Sequence, residues 1–222
     1  MLSLEEFMEY SKNYNVIPIF EEIAGDILTP ITIYSQLCLD NDYSYLLESA
    51  DQGRYSFIGV YPEKVISQEK DILNILNFDE YGVMSKKSIL DTEVLDYLKD
   101  YLAGLNVLEI EGLPPFAGGY VGYFGYEMIS KWESIYHDKP EKDIKKSNIP
   151  MTTLVYAGII IAIDHKSHII RIIANIRIDD HLSENEKKDL YFRYKKMINN
   201  VKESLKNISI DNNYGLLDSD FI

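Results

Sequence analysis

Residues Tyr43 to Pro62 read YSYLLESADQGRYSFIGVYP, two strand-like runs around a turn. In the first run Tyr43, Tyr45 and Leu47 alternate with Ser44, Leu46 and Glu48. This is the two-residue period of an extended chain with both faces at least partly covered. Arg54 to Tyr61 is rich in β-branched and aromatic residues, which fit a pleated, half-buried surface. Ala50-Asp51-Gln52-Gly53 supplies the turn: Gly53 tolerates positive φ, and Asp51 can bond its own backbone. The first run ends in Leu46-Leu47-Glu48-Ser49, a carboxylate and a hydroxyl directly after two large apolar residues. The carboxylate can receive an ammonium group, and the hydroxyl beside it can donate or accept, a pair suited to a zwitterionic amino acid. On the residues alone the plainer reading stays open: a strand end leaving the core, with Glu48 in water as most charged side chains are.

Outward from this hairpin, short helices alternate with further strands. Ser3 and Glu6 form a capping box for a helix over Ser3 to Lys12. Val16 to Ile23 is strand-like, and Pro18 predicts an edge position because it cannot donate to a ladder. Thr29-Pro30 opens a second helix, with Thr29 as N-cap, a buried stripe of Ile31, Tyr34, Leu37 and Cys38, and a stop at Asp40-Asn41-Asp42. Lys64 to Gln68, Asp71 to Phe78 and Val83 to Lys86 read as a meander turning at Asp79-Glu80-Tyr81-Gly82. Asp91 caps a helix to Ala103, and Gly104 stands where a left-handed C-cap residue belongs.

Leu113 to Ile129 reads LPPFAGGYVGYFGYEMI. No phosphate-loop pattern is present, neither GxGxxG nor GxxxxGK, and glycines within an aromatic run instead mark a strand approached closely by another backbone. Trp132 to Asn148 is polar, alternating in charge over Lys139 to Lys146, and reads as an exposed loop or a frayed helix. Thr152 to Asp164 and His168 to Asn175 form a long hairpin turning at His165-Lys166-Ser167. Without a third ligand nearby, His165 and His168 read as turn residues, not a metal pair. Ser183 with Glu186 caps the longest helix, to Lys206, with a stripe of Leu190, Tyr194, Met197, Ile198, Val201 and Leu205. The expected fold class is α+β, mostly antiparallel β-sheet layers with helices packed on the outside.

Composition narrows the function classes. The 222 residues carry a formal charge of -14, and the pI is about 4.7. That argues against nucleic acid and anionic membranes as partners, because phosphate binding wants clustered Lys and Arg. Cys38 is the sole cysteine, so no intramolecular disulfide can form, and a reducing compartment fits. MLSLEEFMEY has acids where a signal peptide needs a basic and then an apolar stretch, and the run Leu154 to Ile163 is too short to span a bilayer. A cytoplasmic protein is expected. No nucleophile–base pair, no paired acids in a glycine-lined cleft and no metal-ligand cluster stands out, so no catalytic or metal-binding residue is assigned.

LLESADQGRYSFIGVYP closely resembles the N-terminal half of anthranilate synthase component I, where LLES followed by a glycine and RYSFIG is a strong signature. The Thr-Pro helix ahead of it and the Pro-Pro-Phe-x-Gly-Gly-x-Val-Gly-Tyr run extend the resemblance to about residues 1 to 205. It implies a tryptophan-binding regulatory domain over residues 1–206, then a linker over 207–222 toward a chorismate-binding domain absent here. The implied tryptophan contacts are Leu47, Glu48 and Ser49, with Tyr55 and Ser56 on the facing strand. It further implies a glycine–tyrosine run that is a central strand of the sheet and borders the inhibitor pocket. For the full-length parent it implies Mg2+, conversion of chorismate and glutamine-derived ammonia to anthranilate and pyruvate, and a glutamine amidotransferase subunit. No cofactor is implied for this half, which would be inactive alone and could pair as a homo-oligomer. The matching half of aminodeoxychorismate synthase component I and a stand-alone small-molecule-binding module are the alternatives.

Overall fold

The computed structural model describes residues 1–38, 43–48, 53–79, 82, 84–132 and 149–208. The Ala50-to-Gly53 turn apart from Gly53, the Asp40–Asp42 stop, Glu80 and Tyr81 of the Asp79–Gly82 turn, the Lys139–Lys146 run and the chain after residue 208 lie outside the described residues.

Five α-helices and eight strands are described: α1 (Leu4–Tyr10), β1 (Val16–Ala24), α2 (Pro30–Cys38), β2 (Tyr45–Leu47), β3 (Tyr55–Glu69), β4 (Ile72–Phe78), β5 (Met84–Leu90), α3 (Val94–Ala103), β6 (Tyr120–Phe124), α4 (Ile129–Trp132), β7 (Thr152–Asp164), β8 (Ile169–Arg177) and α5 (Glu184–Lys206). The strands make one antiparallel sheet, the α+β class expected. Both capping boxes form: Ser3 and Glu6 at α1, Ser183 and Glu186 at α5. Thr29 Oγ1 accepts from the Thr32 amide, as its N-cap reading requires. β1 is an edge strand, where Pro18 costs no ladder bond.

The sheet is built around two long strands, β3 and β7, paired along almost their whole length. Each has two partners in succession on its other side. β2 covers Phe57–Gly59 of β3 and β4 covers Lys64–Glu69. β8 covers Ile159–Asp164 of β7, and β6 covers Thr152–Tyr156. The sheet therefore branches at one level, around Val60–Glu63 and Ala157–Gly158. One half packs Ile17, Ile19, Ile58, Ile159, Ile161 and Ile172 beneath α1, α2 and α5. The other packs Ile66, Leu73, Ile75 and Leu154 with Val94 of α3 and with Met128.

Five expectations change. In α2 the buried stripe runs through Ile33, while Ile31 is exposed. Arg54–Tyr61 and Lys64–Gln68 are one bulged strand, not two: the register slips between Pro62 and Lys64, and Tyr61 takes φ 53°. The glycine–tyrosine run is not a central strand; β6 pairs with β7 alone and is largely exposed. The close approach is real, since a Cβ on Gly122 would sit 1.9 Å from the Thr153 carbonyl oxygen. Glu93, not Asp91, is the cap of α3, and Gly104 has φ −83°, so it is not left-handed. In α5, Tyr191 replaces Leu190 at the centre of the buried stripe, packed on Phe7 at 5.3 Å.

Candidate functional site

β2 is three residues long and is held by its neighbour. Tyr45, Leu46 and Leu47 pair with Gly59, Ile58 and Phe57. Alternation sends Leu46 into the core with Ile58 and turns Tyr45 and Leu47 to the other face. There the Tyr45 ring covers Gly59, whose missing side chain makes the room: an added Cβ would lie 2.2 Å from the ring. The Tyr45 hydroxyl is buried with no hydrogen-bond partner among the described residues.

On the Leu47 face the aromatic residues gather. Tyr55 stacks on Phe57 with centroids 5.8 Å apart, and Phe116 meets Phe57 edge-on at 5.4 Å. The segment after Phe116 crosses this side of the sheet. The Ala117 carbonyl accepts from Asn175 Nδ2 at 2.6 Å, and a Cβ on Gly118 would lie 2.5 Å from that amide nitrogen. Gly119 has φ +126°, a conformation side chains rarely adopt. Leu47 is 40% exposed, and Glu48, the last described residue before the turn, is exposed. The result is an apolar shelf of Leu47, Tyr55, Phe57 and Phe116 at the strand end where the exposed Glu48 follows Leu47. It can stack a planar ring and offer an acceptor to a cation.

Ser49 lies outside the described residues. Ser56 is buried on the opposite face from Tyr55, its Oγ 2.7 Å from His165 Nε2. It ties β3 to the β7–β8 turn and does not line the shelf. The same end of β3 is fixed by Arg54, whose Nε and Nη2 donate to Asp164 at 3.0 and 2.6 Å. The guanidinium, followed by the Lys166 and Ser167 donors, holds the buried Asp164 carboxyl well below the usual carboxylate range. This clamp positions the chain where it leaves the turn for the shelf. Sequence reading missed Phe57 and Phe116. Phe57 was within reach, because period-two alternation puts it with Leu47 and Tyr55; Phe116 is brought there only by the tertiary fold.

Among the described residues no group of three or more His, Cys, Asp or Glu side chains gathers as a metal site, and no helix is long and apolar enough to cross a membrane.

Comparison with known proteins gives the family. Anthranilate synthase component 1 from Aquifex aeolicus is 31% identical over 209 residues, 92% of this chain and 40% of that protein. The chain is homologous to the N-terminal part of anthranilate synthase component 1. The Bacillus pumilus protein of that name is 30% identical over 91% of this chain, and the Bacillus subtilis one 31% over 91%. In both cases the match spans 38% of the relative's length. A solved anthranilate synthase component I from Streptococcus pneumoniae aligns over 86% of this chain and 38% of its own, with 25% identity and a TM-score of 0.45. No family model matches the chain.

Proposed function

We propose that this chain is the tryptophan-binding regulatory part of an anthranilate synthase component 1, and that the shelf beside Glu48 is the binding site. The observation that carries the reading is the side-by-side placement of Leu47, Tyr55 and Phe57 at the strand end that leads into the exposed Glu48, in a chain with this kinship. An indole would lie on the apolar shelf, and Glu48 would accept from its α-ammonium. Ser49 would add a polar contact, while Ser56 holds the strand from behind and Arg54, clamped to Asp164, stands over the Tyr55 ring at 4.9 Å. The parent would act on chorismate with Mg2+ and a glutamine amidotransferase subunit, and its chemistry would lie outside these 222 residues. Tryptophan would act by favouring one of two arrangements of the parent, as a ligand with different affinities for them must.

The test is a tryptophan titration of anthranilate formation by the full-length enzyme, with and without Glu48→Ala or Ser49→Phe. A charge-assisted hydrogen bond is worth about 1.5–3 kcal/mol, so losing the one from Glu48 should raise the inhibition constant roughly tenfold or more. Turnover without tryptophan should stay near the wild-type value. Equal loss of inhibition and turnover would refute the assignment.

A further inference from the structure

Where the sheet branches, a second concavity opens, a cleft of about 810 Å³. It forms because β3 is bulged and β6 and β8 take different stretches of β7. Tyr61, at φ 53°, starts the bulge, and Glu63 is its extra residue. Gly158 backs onto it. A Cβ there would lie 2.8 Å from the Tyr61 carbonyl oxygen and 2.9 Å from Glu63 Oε1, so the bulge fits only against glycine. The slip carries Glu63 to Tyr194 of α5, which donates to its Oε1 at 2.5 Å.

The lining differs from the rest of the surface in two ways. Six of its described residues are aromatic: Tyr43, Tyr61, Phe78, Tyr101, Tyr156 and Tyr194. Four are cationic, Lys64, Arg177, Arg193 and Lys196, against two acids, Glu63 and Asp79, in a chain of net charge -14. The cations are crowded. Lys64 Nζ and the Arg177 guanidinium both stand 4.5 Å from the centroid of one ring, Tyr101. A single ring quadrupole attracts each of them but cannot cancel their mutual repulsion. Burial, then Arg177, pushes the Lys64 ammonium below its usual range. Among the described residues Lys64, Arg193 and Lys196 make no salt bridge, and Arg177 reaches only Asp179, at 3.7 Å. Glu63 offsets part of this charge, since its carboxylate interacts with Lys64, Arg177 and Arg193 while its Oε1 accepts from Tyr194, but the lining still holds four cations against two acids.

We propose that this cleft is a binding site for an aromatic carboxylate, its ring held among the tyrosines and its carboxylate between Lys64 and Arg177. The anion relieves the repulsion between the two cations, and the guanidinium's planar fork suits a carboxylate. The flat rings around them favour a planar body over a bare ion. The site is separate from the Glu48 shelf. From Phe57, opposite Leu47, to Tyr61 is four residues of strand, roughly 13 Å.

The test is isothermal titration of the full 222-residue chain with 2-naphthoate. The expected result is saturable binding at one site. 2-Naphthol, which keeps the rings without the carboxylate, and inorganic phosphate, which keeps the charge without the rings, should each bind at least tenfold more weakly. Lys64→Gln with Arg177→Gln should weaken 2-naphthoate about tenfold or more at an unchanged circular dichroism spectrum. Should that double variant unfold, the single variants Lys64→Gln and Arg177→Gln carry the same expectation of weakened binding. The proposal is overturned by any of four outcomes: no binding at millimolar 2-naphthoate, equal affinity for 2-naphthol or for phosphate, folded charge variants that bind as the wild type does, or loss of binding in Glu48→Gln.

Discussion

The attachment of β2 can be measured through the pair Tyr45 and Gly59. Three residue pairs hold this strand, and one is a tyrosine ring lying on a glycine. A methyl added at residue 59 would stand 2.2 Å from Cε1 and Cζ of Tyr45 and 2.7 Å from its hydroxyl oxygen. Carbon atoms settle at about 3.5–4 Å, so the ring must leave its place. Gly59→Ala should therefore cost about 1–3 kcal/mol, the usual range for overpacking. Tyr45→Ala should cost about 2–4 kcal/mol, near the lower end for an aromatic truncation, because the ring is only part-buried and its hydroxyl has no partner among the described residues. In the Tyr45→Ala background the methyl meets open space, and alanine in a strand is then better than glycine by about 0.5–1 kcal/mol. The double variant should be no less stable than Tyr45→Ala alone, a coupling of at least about 1 kcal/mol. Urea denaturation of the four proteins gives the cycle, and β2 loosened in Gly59→Ala should also present Glu48 less firmly. Single-variant costs that add within about 0.5 kcal/mol, the limit expected for independent sites, would show that the ring does not sit on Gly59.

Two further outcomes follow from buried polar groups. Thr152 is fully buried, and its Oγ1 has no hydrogen-bond partner among the described residues, so Thr152→Val, which keeps the shape, should raise stability by about 1 kcal/mol in the same denaturation assay. A loss of that size would mean that the hydroxyl is bonded. Asp164 has a folded-state pKa held below its unfolded value of about 3.9, so its contribution is fully present above roughly pH 5 and is lost as pH falls through the folded value. Denaturation midpoints measured from pH 7 to pH 2 should show the gap between wild type and Asp164→Asn closing as pH falls, and a constant gap would place no charge on Asp164.

What could be read from the residues depended on how far along the chain each cause lay. The helix starts at Ser3, Thr29 and Ser183 are set by partners three residues on, and each is legible in a short window. The start of α3 is not. The Val94 amide donates to Gln68 Oε1 at 2.8 Å, 26 residues back, which frees the cap position from needing a side-chain acceptor and leaves Asp91 as a turn residue at φ 54°. At the candidate site the greasy half was readable, because Leu47, Tyr55 and Phe57 follow from alternation on paired strands. Phe116 was not, since it arrives on a segment whose path is set by Asn175 and the glycines after it. The branch in the sheet shows the limit most sharply. Val60-Tyr61-Pro62-Glu63-Lys64 reads locally as a strand broken by proline, and only the partner strand shows otherwise. Gly158, 95 residues after Glu63, leaves the space into which the bulge folds, and the extra residue turns a flat ladder into a cleft. A glycine inside an apolar strand was the one signal of it in the chain, and its meaning depends on what lies opposite.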